Sequence, residues 1–162
     1  MSKFPVIIGR TELMDFPDLL LTHVPVKIDT GAYTSSIHAK NIKLKTKGNK
    51  KILTFDLLEG HYTTVYPRSV ETAEYYTDTI RNSFGKSEER YIVNFKIKLG
   101  TKTFRTEFSL ADRSVNNYPI LVGRKTLNRR FLVDSSKSHI DRKELKKKFN
   151  IDLQDEEDEA SK

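Results

Sequence analysis

Asp29-Thr30-Gly31-Ala32 is the segment of this chain best equipped for chemistry. It sets a carboxylate, a hydroxyl and a glycine in succession after a strand-like approach, Val24-Pro25-Val26-Lys27-Ile28, in which apolar residues alternate. Glycine permits a tight turn and close backbone approach to a ligand. The Thr30 hydroxyl can brace the loop by hydrogen bonding. A carboxylate presented this way activates a water for attack on an amide when a second carboxylate shares its proton, one group ionised and the other acidic. The chain has no second Asp-Thr-Gly or Asp-Ser-Gly. If the motif is catalytic, the partner carboxylate must come from the Asp29 of another copy.

Asp, Thr and Gly also favour turns, so the motif alone reads equally as an ordinary strand and turn. A second element raises its weight. Tyr118-Pro119-Ile120-Leu121-Val122-Gly123-Arg124 is a short apolar run closed by glycine and arginine. It resembles the apolar-apolar-Gly element of retroviral-type aspartic peptidases, where a buried strand passes behind the Asp loop and enters a short helix. That helix is expected over residues 124–130, and Ile120, Leu121, Val122, Gly123 and Arg124 are expected to support the loop.

The likeness extends further. Ile8 to Glu12 (IGRTE), Asp29 to Ala39 (DTGAYTSSIHA), Leu110 to Ser114 (LADRS) and Pro119 to Asp134 together resemble a bacterial family of small retropepsin-like proteins. That family is often labelled "ATP-dependent zinc protease" and is associated with ATP-grasp glutamate ligases. The match spans roughly residues 6 to 138. It implies an all-β, retropepsin-like closed barrel with a C-terminal helix, active as a symmetric homodimer. It further implies a peptidase acting on an acidic peptide or protein, such as a ribosomal protein carrying a glutamate tail, with the ligase as a partner. Asp29, Thr30 and Gly31 are then the catalytic residues. Ala32, with Gly31, is expected to offer backbone groups to substrate. One departure stands out: Tyr33 occupies the place where viral relatives carry an acidic partner for the arginine, so Arg124 needs a different partner.

Composition narrows the remaining classes. The chain is 36% hydrophobic and 31% charged, with no apolar run near the ~20 residues a membrane span needs, so a cytoplasmic location without membrane contact is expected. Absence of cysteine removes disulfides, thiol nucleophiles and thiolate metal sites. His23, His38, His61 and His139 are scattered, with no H-E-x-x-H or H-x-x-E-H, and no glycine-rich phosphate loop is present. Neither a metal nor any other cofactor is expected. The net charge of +7 includes five acidic residues at 155–159, which makes the rest of the chain strongly basic and attractive to polyanions. Residues 1–150 read as one domain and 151–162 as an acidic disordered tail.

Strand signals dominate the elements that would position the site. Tyr91 to Leu99 and Thr103 to Leu110 alternate apolar and polar around Gly100, a hairpin with Tyr91, Val93, Phe95, Ile97 and Leu99 facing inward. Ile42 to Leu44, Ile52 to Leu57 and Val70 to Tyr76 read as further strands. The polar stretch Thr77 to Arg90 falls where a retropepsin carries the hairpin that closes over substrate. Gly85 is placed near its tip, with Arg81, Ser83 and Arg90 toward the cleft. Asp29 and Gly123 lie 94 residues apart, longer than in a minimal viral relative, so the middle carries added structure. Near the end, Ser138, Ile140, Asp141, Leu145 and Phe149 suggest a basic helix. Arg10, Arg113, Arg129 and Arg130 suit either an acidic substrate or structural pairing with Glu12 and Asp112. Two other readings stay open: a catalytically silent binding module of the same fold, and a metal-dependent peptidase.

Overall fold

Apolar alternation in this chain is expressed as strand. The computed structural model describes residues 4–61, 63, 67–81, 84–140 and 147. Among them run β1 (Val6–Ile8), β2 (Thr11–Phe16), β3 (Leu21–Ile28), β4 (Ser35–Lys47), β5 (Lys50–Leu57) and β6 (Arg68–Thr72). There follow β7 (Tyr76–Arg81), β8 (Ser87–Leu99), β9 (Lys102–Ala111), β10 (Ile120–Val122), the single-turn helix α1 (Arg124–Leu127) and β11 (Phe131–Val133). The protein is mostly β. No helix among the described residues is long and apolar enough to cross a membrane.

Strand pairing runs in a ring, β10–β3–β2–β8–β9–β4, and β4 returns to pair with β10. The β10–β3 and β4–β9 pairs are parallel and the other pairs of the ring antiparallel. The β8–β9 hairpin follows the sequence pattern, with Leu99 opposite Lys102 and Gly100 at φ 59° in the turn. Val93, Phe95, Ile97 and Leu99 are buried while Lys96 and Lys98 are exposed, the two faces of a half-buried strand. Phe95 meets Phe16 edge-on at 5.8 Å and Phe108 at 6.0 Å, and Phe55 approaches Phe95 at 6.3 Å. Aromatic pairs at such distances add about 0.5–1.5 kcal/mol each beyond area burial.

Several boundaries differ from the sequence reading. The helix expected over 124–130 stops at Leu127, because Arg129 turns to φ 69° and Phe131 must enter β11, which pairs with β1 and buries Phe131 against Phe104. The single strand expected over 70–76 is two strands. The Thr72 hydroxyl accepts the Glu74 N–H at 3.0 Å, and there the chain leaves β5 to join β8. Residues 42–44 are the middle of the 13-residue β4, not a separate element. The added central structure is the far half of β4 with β5 and β6, a sheet beyond the ring. The expected C-terminal helix and the acidic tail lie outside the described residues, save Ser138, Ile140, which is buried, and Lys147.

The Ile8–Glu12 segment is held by the chain end. Asp134 N–H donates to Ile8 O, Arg10 N–H to Lys137 O and His139 N–H to Thr11 O. A Cβ on Gly9 would lie 2.4 Å from Lys137 O, so only glycine admits this crossing. Buried Glu12 accepts the Gly9 N–H at 3.0 Å and contacts the His139 imidazole. Arg10 donates to Ser135 O at 3.1 Å.

Candidate active site

Asp29 is reached through β3, whose last residues are fixed from both sides. Val26 and Ile28 lie in parallel register with Ile120 and Val122 of β10, and Ile28 N–H donates to Arg10 O at 2.8 Å. Asp29 N–H then donates to Val122 O at 2.9 Å. The apolar-Gly strand is thus the floor on which the carboxylate stands. Ile120 and Val122 are buried and Leu121 half-buried.

Beyond Asp29 the chain closes on itself. Gly31 N–H donates to Asp29 Oδ1 at 2.9 Å and Ala32 N–H to Asp29 O at 3.2 Å. Ala32 O accepts Arg124 N–H at 2.8 Å and Tyr33 O accepts Lys125 N–H at 2.9 Å, so the start of α1 caps the loop. Both backbone groups of Ala32 are therefore engaged, its N–H within the loop and its carbonyl by α1. Asp29 is half-buried, and Thr30 and Gly31 are exposed.

Arg124 takes the partners that Tyr33's presence requires. Its Nη1 donates to Thr30 O at 3.1 Å, and its guanidinium lies 5.7 Å from the Tyr33 ring centroid. The charge is satisfied by a carbonyl and a π face in place of a carboxylate. Arg124→Ala should cost only about 1 kcal/mol of unfolding free energy, since both contacts are exposed. It should lower activity more than that, through loss of Thr30 positioning, and Arg124→Lys should restore little of it. Equal activity in all three proteins, measured beside their denaturant midpoints, would contradict this role.

Under the loop lies a buried hydroxyl chain that sequence reasoning did not assign. Ser35 Oγ accepts Gly123 N–H at 3.0 Å and meets Thr126 Oγ1 at 2.7 Å, which meets Thr106 Oγ1 at 2.8 Å. The run Thr34-Ser35-Ser36 beside the Asp motif was its one local signal.

The β7–β8 hairpin carries the other expected site residues. Asp78 pairs with Arg90 and Arg81 with Ser87; Phe84 and Gly85 (φ 78°) sit exposed at its end. Arg81 is exposed, and Ser83 lies outside the described residues. Arg90 turns inward: its side chain is 16% exposed, pairs with Glu88, and donates to Ser36 Oγ and Ser109 Oγ, each at 3.4 Å. Ser36 pairs in register with Leu121 of β10, so Arg90 contacts a residue of the strand next to the one behind Asp29.

Arg113 and Arg130 have structural contacts. Arg113 Nε donates to Tyr118 O at 3.1 Å. Arg130 donates to Thr126 O and lies 4.2 Å over the Phe104 ring. Asp112 accepts from Ser114 N–H and Oγ.

Two histidines form a buried pair, rings 5.5 Å apart, at 0% and 2% exposure. His38 Nδ1 accepts Arg113 N–H at 2.8 Å while Nε2–H donates to Glu59 O at 2.7 Å. His61 Nδ1 accepts from Thr63 N–H and Oγ1, and Nε2–H donates to Asn116 O at 2.9 Å. Both rings are thereby neutral, with all four nitrogens engaged. Burial pushes His61 down to about 4 and lowers His38 as well. In the unfolded chain both bind protons below about pH 6.5 that the folded protein refuses. Stability is therefore full above that value and falls as pH drops toward 4. His61 alone should remove about 2 kcal/mol by pH 5 relative to neutrality. Urea unfolding at about pH 7 and pH 5 checks this, and equal midpoints would refute it. Among the described residues, no group of three or more His, Asp or Glu side chains is arranged to hold a metal.

A mostly β chain that presents Asp-Thr-Gly over an apolar-Gly strand has the arrangement of the retropepsin-like proteins. The chain belongs to the RimB-like family, described as the retropepsin-like aspartic endopeptidase RimB, whose model matches residues 7–144. It is 33% identical over 138 residues to a probable alpha-L-glutamate ligase of Shewanella pealeana, and 31% identical over 136 residues to one of Parasynechococcus marenigrum. These alignments cover 85% and 83% of this chain but only 30% and 29% of the relatives, so the chain spans less than a third of their length. A crystal structure of a protein of unknown function from Legionella pneumophila superposes with a TM-score of 0.65 at 30% identity, covering 82% of this chain and 95% of that one.

Proposed function

We propose that the protein is an aspartic peptidase whose active form is a homodimer, with the two Asp29 carboxylates facing each other across a two-fold axis. The observation that carries this reading is the Asp29 loop. Its carboxylate is held by Gly31 N–H on a strand anchored to Val122, while Thr30 and Gly31 remain exposed for a partner. An isologous interface delivers the second carboxylate without a second motif. Like charges that close share one proton. One group then takes a proton from water as the other protonates the amide, with no covalent intermediate.

In this reading the β7–β8 hairpin covers the substrate with the face that carries Arg90, and Gly85 lies at its end; Arg81 stands on the opposite face of the hairpin. An acidic peptide is the substrate class, in line with the basic body of the chain and with relatives named for glutamate ligation. We assign the ligation in those names to the 70% of their length outside the match, and hydrolysis to the shared part. A glutamate-tailed ribosomal protein fits as the substrate, and a glutamate ligase as the partner that makes it.

Mass spectrometry of a glutamate-tailed peptide incubated with the protein tests the proposal. Shortening that survives a metal chelator is expected. An intact peptide at concentrations where the protein is demonstrably dimeric would leave a binding module, and shortening abolished by chelation would leave a metal peptidase.

A further inference from the structure

The sheet added beyond the ring carries a charge pattern that peptide hydrolysis at Asp29 does not use. Residues 40–57 contain six lysines (Lys40, Lys43, Lys45, Lys47, Lys50 and Lys51) against one acid, Asp56, and contain no arginine. Asp56 is already engaged by Asn41 and Ser69. Among the described residues, the ion pair recorded on this hairpin is Lys47–Glu71 at 2.8 Å.

Strand register sorts these lysines. Lys43, Lys45 and Lys47 alternate along β4 and so share one face, spaced roughly 7 Å apart. Lys50 stands directly opposite Lys47 and joins that face. All four are exposed. Like charges directly across a strand pair repel and destabilise it. Glu71 of β6, opposite Thr54, lies on the same face and pairs with Lys47, so four lysines meet one acid there and the positive surplus at this hairpin end suits an external polyanion. A shift in register between Lys40 and Lys43, with Asn41 at φ 55°, turns this part of β4 out of the ring that carries Asp29.

We infer that the β4–β5 hairpin is a docking arm for structured RNA, engaging its phosphate backbone. Lysine is a compact point charge that meets phosphate oxygens in any orientation, which suits a repeating backbone held without fixed bidentate geometry. The lysine face contains no aromatic side chain on which an unpaired base could stack, so contact falls on backbone and shape rather than on base identity. Binding should therefore be indifferent to sequence and steeply salt-dependent. The inference does not depend on hydrolysis by Asp29.

The test is fluorescence anisotropy of an RNA duplex of about 20 base pairs, longer than the ~16 that double-stranded-RNA modules span. The full chain is compared with Lys45→Gln/Lys50→Gln and with a control of equal charge loss, Lys96→Gln/Lys98→Gln, on the exposed face of β8. The arm variant should bind about tenfold more weakly near 0.1 M salt, and its slope of log affinity against log salt should flatten by about 1.5. The control should change little. Equal losses in both variants would make the effect one of overall charge and overturn the assignment, as would absence of RNA binding by the full chain. If the arm variant loses affinity for a glutamate-tailed peptide but not for RNA, the arm belongs to the acidic peptide and the inference fails. Matching unfolding midpoints confirm that both variants are folded.

Discussion

Asp29→Asn is expected to reduce kcat on an acidic peptide by about a thousandfold or more while leaving KM within a few-fold, since it removes proton transfer and keeps the loop. Asparagine retains an acceptor oxygen for the Gly31 N–H, so the turn that now uses Asp29 Oδ1 survives. Dimer affinity should change little, since the shared proton already removes repulsion between the two carboxyls in the wild type. Mixing gives a sharper readout. If each active site needs two Asp29 groups, an equal mixture of wild type and variant retains about a quarter of its dimers intact, and activity follows that square rather than the linear half. A linear response in the titration would mean that each subunit works alone, and the shared-proton mechanism would then be abandoned.

Gly123→Ala should be nearly as damaging for a purely steric reason. A Cβ there would sit 2.7 Å from Tyr33 O, 2.8 Å from Tyr33 C and 2.9 Å from Thr34 C. All three are backbone atoms of the segment leaving the Asp loop, so no side chain can rotate away. Either the loop lifts or β10 drops, and each movement strains the bonds from Gly123 N–H to Ser35 Oγ and from Arg124 N–H to Ala32 O. Overpacking of this kind costs about 1–3 kcal/mol, and the rigidity of the obstacle argues for the upper end. The thermal midpoint should fall by roughly 5–10 °C, with activity reduced well beyond the unfolded fraction. A variant with unchanged midpoint and activity would show that the loop and strand are not coupled as the geometry indicates.

The two features that define the candidate site were legible because each is local. Asp29-Thr30-Gly31 announces itself by residue type, and Ile120-Leu121-Val122-Gly123 by an apolar run with a glycine at its end. The β8–β9 hairpin was equally plain, since period-two alternation around Gly100 records one buried face. Even the need for an unusual Arg124 partner followed from Tyr33 standing where an acid was expected. Residue chemistry thus determined which carboxylate is the candidate and which strand lies behind it.

Tertiary structure decided what depends on residues far apart in sequence. Ser35 meets Thr126 across 91 positions, and Thr11 meets Ser138 across 127. No window of sequence contains both members of such a pair. The reading of 70–76 as one strand failed for the same reason, since edges of β5 and β8 compete for that chain and Thr72 marks the exchange. Helix α1 ends early because Phe131 is claimed by a strand partner near the other end of the chain. His38 and His61 read as scattered histidines until burial and the hydrogen bonds on all four ring nitrogens made them a neutral pair. Local patterns fix which face of a segment seeks the core, but the partner that face meets is chosen by pairing across the whole chain, where backbone hydrogen bonds and side-chain volume must be satisfied together.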